Sequence, residues 1–396
     1  MVPEGWVSKK LGSMSSLVTS GSRDWARFYS DTGSKFIRMT NLRRDGIHLK
    51  MDDMKFVDVA SDSADGKRTS LQAGDILISI TAELGKIGWV PLGLGEAYIN
   101  QHTALVRVKP VDAVSMFIAY LLCSKPYHRR INALNDAGAK AGLNLATIRS
   151  LPIDLPPLPE QKKIAQIFST WDQAITATER LLENSQQRKK GLMQQLLTGK
   201  KRLPGFEGEW EEFLIAELED KGWLKLGRGK VISKTDIENK PGQYPIYSSS
   251  IKNDGLMGAY GEFMFDEELI SWSVDGGGNF FYRPKHKFSV TNVSGYMRLD
   301  TDRLSYKFLA EQLGYLHERQ AFNYQTKAHP SVIRKLYRVK IPSLREQQKI
   351  AQVLAVTDAE VAANQVRLEC LKEEKKALMQ QLLTGKRRVQ VDTEAA

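Results

Sequence analysis

Asp75, Glu83 and Lys86 come nearest to a catalytic arrangement in this chain of 396 residues, since two carboxylates could hold a divalent cation while a lysine assists an attacking water. The spacing Glu83-Leu84-Gly85-Lys86 is one residue too long for such a nuclease site, and the second half of the chain has no counterpart. A strand end and a turn account for the same residues. The histidines, at 48, 102, 128, 286, 317 and 329, form no pair three or four apart that would seat a metal on one helix face. Cys123 and Cys370 belong to no CxxC and have no histidine cluster beside them, so they read as buried or idle thiols. Gly199-Lys200 and Gly229-Lys230 lack both the earlier glycine and the following hydroxyl of a phosphate-binding loop. No glycine fingerprint for a dinucleotide or for S-adenosylmethionine follows a strand. Neither a catalytic residue nor a metal ligand emerges.

Binding chemistry is better represented. The 57 Lys and Arg residues exceed 46 Asp and Glu, giving a formal charge of +11 and a pI near 9.4, which favours a polyanionic partner. In the first half, Arg43, Arg44, Lys67, Arg68, Lys86, Arg129, Arg130 and Lys140 fall in or near predicted loops. In the second, Lys225, Arg228 and Lys230 flank a glycine turn, Arg283, Lys285 and Lys287 surround Tyr282 and His286, and Lys327 follows Tyr324 and Gln325. Basic groups beside amide and aromatic side chains suit DNA, where charge positions the protein on phosphates and planar donors read base edges.

The elements that must carry these groups are announced by a repeat. The segment from Glu160 to Lys200 recurs from Glu346 to Lys386 without insertion or deletion, an offset of 186 residues. Each copy opens on Glu-Gln and closes on LMQQLLTGK. Spacings alternating four and three run through Ile164, Phe168, Trp171, Ile175, Thr178, Leu182, Ser185, Lys189, Leu192 and Leu196, and through Ile350, Leu354, Thr357, Val361, Asn364, Leu368, Leu371, Lys375, Leu378 and Leu382. Both copies therefore read as long amphipathic helices. Prolines at 156, 157, 159 and 342 mark the entrances, and Thr198-Gly199 and Thr384-Gly385 mark the exits. At 1.5 Å per residue each reaches about 55 to 60 Å. The nearest partner for each apolar stripe is the other copy, and antiparallel pairing is the closed arrangement for duplicated units. The polar seam residues Thr178, Ser185, Asn364 and Lys375 would fix the register. The alternative is that each helix packs only on its own domain.

What precedes each copy is dissimilar beyond a short opening signature, PEGW at Pro3 to Trp6 and EGEW at Glu207 to Trp210. Runs such as Ile76 to Ile80 and Glu268 to Trp272, followed by glycines, read as strands, and Met116 to Cys123 and Tyr306 to Leu316 read as helices. The fold class is α/β (α+β), two globular domains joined by two paired helices in a pseudo-two-fold duplication.

PPLPEQ at Pro156 to Gln161, its echo Pro342-Ser343-Leu344-Arg345-Glu346-Gln347, and LMQQLLTGK continued by Lys201 to Phe206 together resemble the specificity subunit of Type I restriction-modification systems. The resemblance covers essentially the whole chain. It implies two target-recognition domains, at 1–158 and 203–344, with helical spacers at 159–202 and 345–388 and a tail at 389–396. Each domain would read one half of a bipartite, asymmetric DNA site. The helices would form an antiparallel coiled coil, with Ile164, Phe168, Trp171, Ile175, Leu182, Ile350, Leu354, Val361, Leu368 and Leu371 in its seam. Two modification subunits, carrying S-adenosylmethionine and methylating adenine N6, would attach to a non-catalytic chain, and restriction subunits using ATP and Mg would join them. With no apolar run long enough for a membrane and no signal core at the N-terminus, the expected location is cytoplasmic. Two competing readings remain: a coiled-coil scaffold binding only protein, and a solitary nuclease.

Overall fold

The computed structural model describes residues 2–23, 25–60, 63–134, 142–250, 252–275, 279–320 and 328–391. Two compact units emerge, one of Met1–Thr178 with Arg367–Ala396, the other of Glu179–Val366. Each boundary falls inside a long helix, because the repeats form continuous 39-residue helices, Leu158–Leu196 and Leu344–Leu382. Both stop two residues before the predicted Thr-Gly, and a bond closes over each glycine, from Lys201 N to Gln195 O at 3.1 Å and from Arg387 N to Gln381 O at 3.2 Å. No helix among the described residues is long and apolar enough to cross a membrane.

In the first unit a four-stranded antiparallel sheet has the order Ser15–Ser20, Thr103–Val108, Ile76–Ser79, Ile87–Trp89. A second four-stranded sheet, Tyr29–Ser30, Lys55–Val57, Ser34–Ile37, Ala97–Ile99, closes with one parallel pairing. A ribbon of Val7–Lys10 with Pro152–Leu155 leads into the first long helix. Helix Ser115–Cys123 is buried almost throughout, as expected for a short helix apolar on every face. It shares one core with Trp6, Ile164, Phe168 and, from the far end of the second long helix, Leu382 and Leu383.

The second unit repeats this plan. Its six-stranded sheet begins Leu224–Arg228, Ser294–Leu299, Phe265–Ser273, Phe280–Val290, connected like the four strands of the first, and adds Tyr244–Tyr247 and Leu256–Tyr260. Ribbon Glu211–Leu214 with Arg338–Ile341 leads into the second long helix, and helix Tyr306–His317 shares a core with Ile350, Leu354, Leu196 and Leu197. The globular halves thus have more in common than their sequences show. Sheet topology depends on pairings between distant strands, to which local sequence identity contributes little.

Candidate nucleic-acid interface

The opening Glu-Gln of each repeat is a joint. Glu160, nearly inaccessible, accepts from Arg388 at 2.6 to 3.0 Å. Glu346, fully buried, accepts from Arg202 through two bonds of 2.6 Å. The two pairs are the same pair displaced by 186 residues. Gln161 takes the Val114 N–H at 2.9 Å and donates to Pro156 O, while Gln347 takes the Ser305 N–H at 2.8 Å and donates to Pro342 O. Val114 and Ser305 are the N-caps of the buried domain helices, whose first N–H groups have no intrahelical acceptor. One glutamine therefore satisfies a helix start and fixes a domain against a long helix. Trp6 and Trp210 of the opening signatures lie on Gly385 and Gly199, beside Phe117 and Phe308.

Along the seam, residue numbers rise on one helix as they fall on the other, so the pairing is antiparallel. In the first unit Asp172 meets Lys375; in the second Lys189 meets Asp358, Arg188 meets Glu360, and Asn364 donates to Ser185 at 3.2 Å. Every predicted seam position is buried or half-buried: Ile164, Phe168, Leu196, Ile350, Leu354, Leu368 and Leu382 are buried, and Trp171, Ile175, Leu182, Val361 and Leu371 are half-buried. The buried hydroxyls of Thr178, Ser185 and Thr357 donate to backbone carbonyls three or four residues earlier.

Asp172 also accepts from Tyr120 at 2.6 Å and contacts His48 Nε2 at 3.1 Å. Burial pushes its pKa up, but bonds from His48, Lys375 and Tyr120 outweigh burial and hold the carboxyl below the usual range. The counterpart of Tyr120, six residues into its helix, is Glu311; burial raises its pKa, Lys189 opposes the rise and Asp358 adds to it. Because the folded-state pKa of Asp172 is depressed, its stabilisation is complete above the unfolded value of about 3.9 and fades as pH falls through the folded value. Asp172→Asn is therefore expected to lower stability at neutral pH, with the gap to the parent narrowing at strongly acid pH. Urea unfolding at the two pH values checks this.

The predicted DNA-contact residues differ in how far their side chains are already engaged. Arg44 and Lys86 converge on Glu83, at 3.6 and 2.8 Å, and Arg68 bonds Ser22 and Asp65. Arg43 is half-buried and bridges to Ile87. Lys67, Arg129, Lys225, Lys230 and Lys285 are exposed. Arg228 donates to Asn292 O at 2.9 Å, and Lys287 lies over Phe263. Arg130 is committed elsewhere, stacking on Tyr127 and donating to Pro152 O at 3.1 Å in the ribbon that leads to the helix. Lys140, Tyr324, Gln325 and Lys327 lie outside the described residues.

Arg283 corrects the expectation. The residue is 4% exposed, its guanidinium stacked 3.7 Å from the Tyr247 ring centre and donating to Ser271 Oγ and to Asp254 O. Burial pulls its pKa down to about 10, and it braces the sheet rather than meeting phosphate. Arg283→Met should cost on the order of 2 kcal/mol, the value of hydrogen bonds from a charged group, read by urea unfolding. The nuclease arrangement dissolves likewise. Asp75, buried, is held bidentately by Arg107 at 2.7 and 2.8 Å, while Glu83 is exposed with Lys86 and Arg44.

Residues 3–184 and 207–373 match the family model described as the Type I restriction modification DNA specificity domain. The chain belongs to this family. A putative type I specificity subunit of Mycoplasma pneumoniae is 28% identical over 226 residues, 56% of this chain and 80% of that protein. The putative type I restriction enzyme MjaX specificity subunit of Methanocaldococcus jannaschii is 22% identical over 418 residues, covering 98% and 95%. The crystal structure of the type I restriction-modification system S subunit from M. genitalium has the same fold, with a TM-score of 0.66 at 16% identity over 96% and 99% of the two chains.

In this type I specificity subunit, a polar cluster that the sequence did not single out lies at one end of the first domain's sheets. Asn100, Gln101, His102 and Thr81 cluster there in the first domain, with Gln101 Nε2 3.0 Å from His102 Nε2 and His102 Nδ1 2.7 Å from Thr81 Oγ1. A weak signal existed. Asn100-Gln101-His102-Thr103 and Thr291-Asn292-Val293-Ser294 each precede an arginine by the same interval, Arg107 and Arg298.

Proposed function

We propose that this specificity subunit reads a bipartite, asymmetric DNA site, one half by each globular domain, and performs no chemistry itself. The observation that carries this is the pairing of constant joints with variable domains. Glu160–Arg388 and Glu346–Arg202 repeat at the 186-residue offset, whereas the sheets they anchor carry different side chains. Two equivalent helical surfaces suit two copies of one partner, which we take to be modification subunits that bind S-adenosylmethionine and methylate adenine N6. ATP and Mg would belong to restriction subunits joined to them. The same arrangement makes the paired helices the spacer between the half-sites.

The test is duplex binding by the chain together with its modification subunit across a range of salt concentrations. Sequence-specific binding that weakens steeply with salt is expected, and an assembly indifferent to DNA would instead be a protein-only scaffold. Exposed Arg228 and Lys230 should each contribute a phosphate contact, so replacing both with Ala is expected to reduce the salt slope by about two. Arg283→Met, by contrast, should leave the slope unchanged.

A further inference from the structure

Two domains with little sequence in common share one construction at one end of their principal sheets. In the first, strand Ser15–Ser20 runs into Gly21, whose N–H donates to Thr103 O at 3.4 Å, and Ser22 then bridges to Asn100. In the second, Leu224–Arg228 runs into Gly229, whose N–H donates to Ser294 O at 3.0 Å, and Lys230 bridges to Thr291. A Cβ at Gly21 would collide with Ile99 O, and one at Gly229 with Val290 O, so only glycine lets the backbones cross. The neighbouring strand is tied in by the same bond in each, from Ile80 N to His102 O at 3.0 Å and from Val274 N to Val293 O at 2.9 Å.

This end of each sheet points away from the helix joint of its own unit. The opposite end of Thr103–Val108 leads to Val114 and thus to Gln161, and the opposite end of Ser294–Leu299 leads to Ser305 and thus to Gln347. A six-residue strand at about 3.3 Å per residue holds the crossing roughly 20 Å from that joint.

The backbone here is repeated, but the side chains on it are not. Ser22 stands where the second domain has Lys230, Gln101 where it has Asn292, and His102 where it has Val293. A constant frame with unlike side chains at matching stations is what two domains need to read two different sequences. In the first domain the frame extends to the side chains. Gln101 donates to His102 Nε2, which requires the tautomer with hydrogen on Nδ1, and that hydrogen goes to Thr81 Oγ1. The ring and the amide therefore hold each other in place, the pre-organisation that direct reading of a base demands. In the second domain Arg228 ties the loop by donating to Asn292 O, and Lys230 stands next to it.

We propose that base edges in the major groove are read at these crossings, Gln101 facing an adenine of one half-site and Asn292 an adenine of the other, with Arg228 and Lys230 on nearby phosphates. Glutamine and asparagine are the side chains that pair bidentately with adenine N6 and N7. The inference rests on the DNA-reading function proposed above, and its test separates the two.

The full-length chain with its modification subunit is offered duplexes in which each base pair of the recognised site is replaced in turn, in competition at fixed salt. Gln101→Ala is expected to lose roughly 10- to 100-fold discrimination at one position of one half-site while the other half-site is read as before. Asn292→Ala is expected to do the reverse. Gln101→Glu, which preserves shape, should shift the preference at the same position towards cytosine, whose N4 donates to a carboxylate. Any other pattern overturns the proposal: discrimination unchanged throughout, reduced equally in both halves, or binding lost to every duplex. If the unaltered chain discriminates at no position, the DNA-reading function fails, and this inference with it.

Discussion

Arg202→Ala is expected to destabilise the second unit by on the order of 3 kcal/mol, far above the 0 to 1 kcal/mol typical of surface ion pairs. The substitution leaves Glu346, with a side chain 1% exposed, as a buried carboxylate stripped of both its guanidinium bonds. A charge left unpaired inside a protein costs more than the pair contributed. Arg202 also lies over the Trp210 ring, so the opening signature loosens with it. The mirrored Arg388→Ala should cost less, because the Arg388 side chain is 45% exposed and water can replace more of what is lost. Adding Glu346→Leu to Arg202→Ala should recover much of the stability, since apolar residues of similar volume often replace a buried pair without loss. Urea unfolding of the three variants checks the order. A cost for Arg202→Ala no larger than that of an exposed pair would mean that the Glu-Gln motif is not a joint.

Adding one heptad to each long helix, at positions matched by the 186-residue offset, is expected to abolish methylation of the original site. Seven residues lengthen each helix by about 10 Å, roughly three base pairs, and return the apolar stripe nearly to its starting face. Three base pairs rotate B-DNA by about 100°, so a half-site three pairs further along faces a different direction. Three heptads add about 31 Å, close to one DNA turn, and should restore recognition of a site whose spacer is nine or ten base pairs longer. Seam pairs such as Lys189–Asp358 and Asp172–Lys375 lie on either side of the insertion if it is made near Thr178 and Asn364, so both remain intact. Efficient methylation at the parent spacing by the one-heptad variant would show that helix length does not set the distance.

The helical half of this protein was legible because its information is local and stated twice. A period alternating three and four places Ile164, Phe168, Thr178 and Ser185 on one stripe, and all four are buried. Glu160 and Gln161 were visible as motif letters but not as joints, because Arg388 and Val114 lie far from them in sequence. Charge alone misplaced Arg283. An irregular register between Glu267 and Leu269 changes which residues of the facing strand point inward, and only the assembled sheet brings Tyr247 and Ser271 around the guanidinium. The crossings at Gly21 and Gly229 are not legible in the sequence for a related reason. What they share is backbone geometry, which two unlike sequences can both adopt provided glycine stands at one position.

Sequencing the methylome of cells lacking other adenine methyltransferases, but expressing this chain with its modification subunit, should reveal a single interrupted motif. Its two halves should differ in sequence, be separated by a fixed number of unspecified base pairs, and carry one methylated adenine each, on opposite strands. A contiguous or palindromic motif, or adenine methylation independent of sequence, would contradict the assignment of one half-site to each domain.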